Sequence, residues 1–580
     1  MKKRFYIRIH KKLVWFAALT LAIWGISGIL HPVMSWTGPK AKHFFAPPLH
    51  ISPQEIQALP KIIKKLKNTP INSAKIVPSQ YGPLLQINIT TTQHLEKNPV
   101  ITDTINSNLF KNQQPEKLAS HQSREYYHLQ EGSKITQHDK AQARWLANYY
   151  TGLKDKQILS VEKVTEHTND YPDVNRLLPV YRITYNTSDQ RVAYIHTETS
   201  SLALLSNQYR AQLQAIFKIL HTWNWLDNQT VARITVIAFL MLTLLTMAVS
   251  GVLMISSLKS RKIANSDRRR HRALAYGLWL PVLAWSFSGF YHLLYNEWRA
   301  PSQLTQMAEA ITLSPEQISP EFSWLNDFKQ QKITSLSLTR DPTGQILFRL
   351  GIRSTTKQNI MAQLSNQTNT NRSTHSVHQS TTHQKEVISS NNKMPSNSAR
   401  FDGIPSENSA IYINALTGQT VAINDKDRVL WLATQYFNVN PKQIYQISLI
   451  TRFGNGYSFR HKRLPVWKLS LKDAYHTSIY IDAVTDMLID KNRSIDRIEN
   501  GIFSMLHKWN WLDPFTGRVI RDITITICIL SLFGLAVIGI RLKLKSTKKI
   551  RSMLSSETTS PIAEQHATNT TEPTNITKSG

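Results

Sequence analysis

The sequence predicts a membrane protein with four transmembrane α-helices in two parallel tandem repeats, each repeat carrying an α+β domain outside the cytoplasm. Three observations predict it. There are four long apolar runs, basic clusters flank only one end of each, and the first half matches the second.

The runs are Leu13–Leu30, Val231–Ile255, Ala273–Leu294 with Pro281 inside, and Ile523–Ile540. Each is close to the roughly 20 apolar residues that cross a hydrocarbon core. With their flanks they place spans at 13–34, 230–256, 273–295 and 520–541. The first run is expected to stay uncleaved, because no small-residue A-x-A site follows it and the chain continues His31-Pro32-Val33-Met34.

The charge supplies orientation. Lys and Arg number 69 against 38 Asp and Glu, a net +31 over 580 residues. Basic residues crowd the N-terminus (Lys2, Lys3, Arg4, Arg8, Lys11, Lys12), the loop after the second run (Lys259, Arg261, Lys262, Arg268, Arg269, Arg270, Arg272) and the segment after the fourth (Arg541, Lys543, Lys545, Lys548, Lys549, Arg551). The positive-inside rule makes 1–12, 257–272 and 542–580 cytoplasmic, with the last expected to be disordered. Segments 35–222 and 296–513 then lie outside, in the periplasm of a bacterial inner membrane. Charge that hugs membrane edges is a topology signal, so nucleic acid is not an expected partner. The single cysteine, Cys528, excludes a disulfide scaffold, a Cys-ligated zinc or iron–sulfur site, and CxxCH haem attachment.

The halves align, with one offset around the first and third runs and a larger one further on. His10-Lys-Lys-Leu-Val-Trp15 and Trp24-Gly-Ile-Ser27-Gly28-Ile-Leu-His31 recur 261 residues later as His271 to Tyr276 and Trp285 to His292. Further on the offset is 286: Trp145-Leu146-Ala147 with Trp431-Leu432-Ala433, Leu178-Pro179-Val180-Tyr181 with Leu464-Pro465-Val466-Trp467, and His221-Thr-Trp223-Asn224-Trp225-Leu226-Asp227 with His507 to Asp513. The extra residues fall in a Ser/Thr/Asn/Gln/His-rich stretch at about 354–400, which cannot bury a core and reads as a disordered insert. Its His375, His378 and His383 read as a solvated linker before a weak metal site. Parallel repeats are related by an axis along the membrane normal, so matched residues can face one another. In the outer segments, PVYRITYNT and RVAYIHTE around Ser188-Asp189, and PVWKLSLKD and TSIYIDAVT, read as strand pairs. The Trp145 and Trp431 segments read as helices.

Of 20 histidines, three pairs match between halves, all at membrane edges: His10/His271, His31/His292 and His221/His507. His10 and His31 are 21 residues apart, about 31 Å of helical rise on roughly one face. If spans one and three meet, His10 faces His271 on one side of the bilayer and His31 faces His292 on the other. Opposed neutral imidazoles are the ligand set of non-covalent haem b, so two haems are expected, with His10, His271, His31 and His292 on haem iron. His221 and His507 are the alternative ligands of the outer haem; they are also candidates for a substrate metal or a helix cap. Lys11, Lys12, Arg270 and Arg272 are placed to pair with propionates. No G-x-G-x-x-G or G-x-x-x-x-G-K-[ST] occurs, so no nucleotide or flavin site is expected, and electrons would come from a quinol or a separate flavoprotein.

The His-basic span starts, the Ser-Gly-x-x-His ends (Ser27 to His31, Ser288 to His292), the Leu-His entries (Leu220-His221, Leu506-His507) and the strand ending Tyr480-Ile481-Asp482-Ala483 together resemble the PepSY-associated transmembrane helix family. That family includes iron-regulated inner-membrane proteins and ferric-siderophore reductases. The resemblance covers most of the chain except the insert and tail, and departs from it at Tyr194-Ile195-His196-Thr197. It implies a four-helix core with periplasmic PepSY domains that passes electrons through b-type haems to a ferric siderophore or other metal chelate. Two other readings stand beside it: a non-catalytic PepSY sensor that binds a peptide or regulates a peptidase, and a metal or haem uptake component.

Overall fold

A computed structural model describes residues 2–49, 51–90, 122–257, 265–298, 306–313, 315–319, 322–328, 332–353, 403–404, 408–454 and 456–557. The insert at 354–400 and its histidines lie outside them. The chain divides into a helical unit (Met1–Ile29, Trp225–Phe290, Asp522–Gly580) and a second unit (Leu30–Asn224, Tyr291–Arg521).

Among the described residues, four helices are long and apolar enough to cross a membrane. They are α1 (Lys2–Thr37), α5 (Thr230–Ser257), α6 (Ser266–Trp298) and α9 (Asp513–Glu557, interrupted at Gly517). The last corrects the expectation of disorder from 542: the helix runs on to Glu557. Helix packing inside the first unit relies on small residues. A Cβ on Gly25 would come within 2.7 Å of Phe533 Cζ, and one on Gly28 within 3.4 Å of Ile529 Cδ1. The Ser27-Gly28 neighbourhood thus admits α9 rather than leaving open space. Phe16 meets Phe239 edge-on at 5.5 Å, joining α1 to α5.

In the second unit, four strands β5 (Ile158–Val164), β6 (Val180–Tyr185), β7 (Val192–His196) and β8 (Ser201–Ser206) form an antiparallel sheet in sequence order. Helix α3 (His138–Thr151) packs on it, burying Ala143, Leu146, Ala147 and Tyr150 against Ile183, Ala193 and Ile195. The same pattern recurs 286 residues on. Helix α7 (Asp425–Tyr436) buries Val429, Leu432 and Ala433 against Leu469, Ile479 and Ile481 of β16 (Val466–Leu471) and β17 (Ser478–Asp482). This sheet runs β15 (Ile444–Ile450), β16, β17, β18 (Met487–Asn492), with β9 (Gln306–Met307) on its edge. Asn424 caps α7, its side chain accepting from the backbone N–H groups of Lys426 and Asp427.

A further sheet joins segments 35–222 and 296–513. Strands β1 (Pro70–Ser79), β2 (Gly82–Thr90), β3 (Gln122–His128) and β4 (Lys134–Ile135) continue across a β1–β11 seam into β11 (Lys332–Arg340), β12 (Ile346–Arg353), β13 (Asn408–Asn414) and β14 (Thr420–Val421). The short β10 (Ile311–Thr312) also pairs with β1. Sequence reading gave each segment a domain of its own; here Ala74 is in register with Leu338 across a sheet that both build. A buried charge cluster ties the segments again. Glu198 Oε1 accepts from Lys75 Nζ at 2.9 Å and Arg463 Nη1 at 3.0 Å, and Arg463 Nη1 also reaches Asp482 Oδ2 at 3.2 Å.

Candidate functional site

The matched histidines His10 and His271 face each other, and so do His221 and His507. In the helical unit, the rings of His10 on α1 and His271 on α6 lie 6.4 Å apart between centroids, with planes at 79°. Ser250 on α5 gives its hydroxyl proton to Met247 O at 2.9 Å and its oxygen sits 3.1 Å from His10 Nδ1. With the serine proton on Met247 O, the His10 Nδ1–H donates to Ser250 Oγ and the Nε2 lone pair is available as a ligand. Two glycines make room for the rings. A Cβ on Gly251 would stand 3.8 Å from His10 Cε1, and one on Gly539 would stand 3.5 Å from His271 Cε1.

In the second unit, His221 and His507 face each other at 6.3 Å and 81°. The local chain explains how. Gln208–Phe217 (α4) and Ser494–Ile502 (α8) each pass into one wide turn, Lys218–Thr222 and Phe503–His507, closed by Trp223 N–H to Lys218 O and Lys508 N–H to Phe503 O. Such a turn accommodates one extra residue per helical turn and is frequent at functional sites. Trp223 and Trp509 then take left-handed backbone conformations, φ +55° and +52°, and their indole N–H groups return to Leu220 O (3.0 Å) and Leu506 O (3.1 Å). Both turns thereby end on a tryptophan that recovers a freed carbonyl.

Each of these histidines stacks on the phenylalanine four residues before it: Phe217 on His221 at 4.5 Å and 14°, Phe503 on His507 at 4.6 Å and 14°. The same phenylalanines also meet the remaining pair. His31 meets Phe217 at 6.5 Å, and His292 stacks on Phe503 at 4.0 Å. His221 and His507 are thus in ring contact, the pair that sequence reading held as the alternative to His31 and His292. His292 is also engaged at both ring nitrogens. Nδ1 contacts Glu499 Oε1, and Nε2 accepts from Asn296 Nδ2 at 2.9 Å.

Sequence reading missed Gly251, Gly539, Phe217, Phe503 and Glu499. The glycines had a signal, since Ala248-Val-Ser-Gly251 and Ala536-Val-Ile-Gly539 repeat at an offset of 288. The phenylalanines stood inside the matched Leu-His motifs. Glu499 had none, because the first half carries Leu213 at that position.

Compared with known proteins, the chain matches no family model, no curated protein and no solved structure. Its functional reading therefore rests on this geometry.

Proposed function

We propose that the chain is a bacterial inner-membrane b-type haem protein, built as a tandem repeat with periplasmic PepSY-like domains. It passes electrons across the membrane to a periplasmic acceptor, a ferric siderophore or other metal chelate. The observation that carries the proposal is the recurrence of one ring geometry twice: His10/His271 at 6.4 Å and His221/His507 at 6.3 Å, both close to perpendicular.

That spacing fits an iron between two imidazoles. A metal–nitrogen bond of about 2.0 Å and about 1.1 Å from nitrogen to ring centre, taken twice, give about 6.2 Å. The donor set fits as well. Two opposed imidazoles suit a macrocycle that brings its own four equatorial nitrogens.

Haem, when bound, supplies a one-electron couple. The protein's part is to hold it. Ser250 fixes the His10 tautomer, Gly251 and Gly539 keep the His10/His271 site open, and Phe217 and Phe503 hold the His221 and His507 ring planes from behind. Electrons would enter from a quinol or a flavoprotein near the basic, cytoplasmic end and leave on the side of His221 and His507.

Haem quantification of single variants tests the reading. His10→Ala and His507→Ala should each lose about half of the bound haem. Full retention in both would defeat it.

A further inference from the structure

Helix α8 is folded inside out for a helix in water. Its two carboxylates, Asp496 and Glu499, are 2% and 5% exposed, while Ile495 and Ile498 are 44% and 55% exposed. The isoleucine stripe continues at helical spacing through Ile502 to Met505, itself exposed. Each acid has a partner inside: Glu499 meets His292, and Asp496 accepts from Tyr295 and holds Arg493. The matching helix α4 carries its own exposed stripe, Tyr209, Ile216 and Ile219, and Trp225 and Trp511 stand exposed just beyond the two wide turns.

Burying acids while exposing isoleucines is unfavourable against water, at about 25 cal/mol for each Å² of apolar surface left wet. It is favourable against lipid. Covalent continuity names lipid as the occupant. Helix α4 opens the apolar stretch Gln208–Ser256, and α8 leads within a few residues into the stretch starting at Asn510; both stretches qualify as membrane spans. Exposed tryptophan between an amphipathic helix and a span is the pattern of a headgroup boundary.

The geometry points to α4 and α8 as interfacial helices, their Tyr209–Ile219 and Ile495–Met505 stripes seated in acyl chains. The wide turns with His221 and His507 are then roofed by lipid rather than open to the aqueous space. This inference concerns the lipid contact alone and does not depend on haem.

Spin-label accessibility tests it. In the full chain carrying Cys528→Ser, Ile495→Cys and Ile498→Cys are each labelled with a nitroxide and reconstituted into phosphatidylcholine–phosphatidylglycerol vesicles. Tyr445→Cys on β15, 55% exposed, serves as the aqueous reference. Relaxation by oxygen should exceed relaxation by a water-soluble nickel chelate at 495 and 498, with the reverse order at 445. Nickel access at 495 and 498 equal to that at 445 would overturn the proposal. So would exclusion of both agents there, which would mean that protein, a second copy or a partner, covers the stripe. Both labelled positions are exposed in the chain, so the substitutions leave its core intact.

Discussion

His221 and His507 face each other at 6.3 Å across planes inclined at 81°, and each is backed by a parallel phenylalanine ring, Phe217 or Phe503. His31 meets Phe217 and His292 stacks on Phe503, so six aromatic side chains from four segments gather at this site.

The proposed haem site makes His221 and His507 its ligands and His31 a neighbour. His221→Ala and His507→Ala should each remove about one haem per chain, whereas His31→Ala should keep the haem count and alter only the spectrum of the outer site. Pyridine haemochrome quantification with low-temperature absorption checks both. Loss of haem in His31→Ala with retention in His221→Ala would reverse the assignment.

The glycine cradle gives a graded series. A Cβ at Gly539 meets His271 Cε1 at 3.5 Å, ordinary contact, so Gly539→Ala should bind haem normally. A branched side chain has no such clearance. Gly539→Val and Gly251→Val should lose about one haem per chain while inserting at wild-type levels. Haem per chain across the Gly–Ala–Val series is the readout.

The buried charges of the second unit set a stability prediction. Burial pushes the Glu198 carboxyl up, but Arg463 and Lys75 beside it hold it well below the usual carboxylate range. Removing Glu198 or Arg463 leaves the other buried with one counter-charge fewer, Lys75 alone remaining for Glu198 and Asp482 for Arg463. Glu198→Leu and Arg463→Leu should each cost about 3–5 kcal/mol, and the double variant less than their sum. Urea unfolding followed by tryptophan fluorescence measures all three.

A pH dependence follows from His461, whose Nε2 lies 3.0 Å from Asp490 Oδ2, both side chains buried. Burial lowers the His461 pKa below 6.5 despite the Asp490 carboxylate. The unfolded chain therefore takes up a proton before the folded one, and stability falls as pH drops below 6.5, by at most about 1.4 kcal/mol per pH unit from this group. Asp490 is pushed up by burial, yet the His461 hydrogen bond and the nearby His461 and Arg176 charges bring it below 3.8, so its contribution is lost only on further acidification. Unfolding midpoints between pH 7 and 5 should fall in the wild type and fall less steeply in His461→Gln. Parallel slopes would remove His461 as the cause.

The helices were legible because crossing a bilayer demands a length and an apolarity that few other segments meet. The strand pairs at 180–196 and 466–482 were legible from alternation, and the positions of the histidines from self-comparison. Two things were not. That His221 meets His507 depends on the wide turns at Lys218–Thr222 and Phe503–His507, where one extra residue per turn redirects a side chain by about 100°. No residue type marks such a turn. The β1–β11 seam joins residues more than 250 positions apart, and pairing at that range leaves no local pattern.

The central claim is that the two facing pairs hold haem. The direct measurement is the visible spectrum of the purified, detergent-solubilised chain, oxidised and then dithionite-reduced, with haem counted per chain. A low-spin b-type spectrum with about two haems per chain is the predicted result. A colourless protein, expressed with haem in supply, would contradict it.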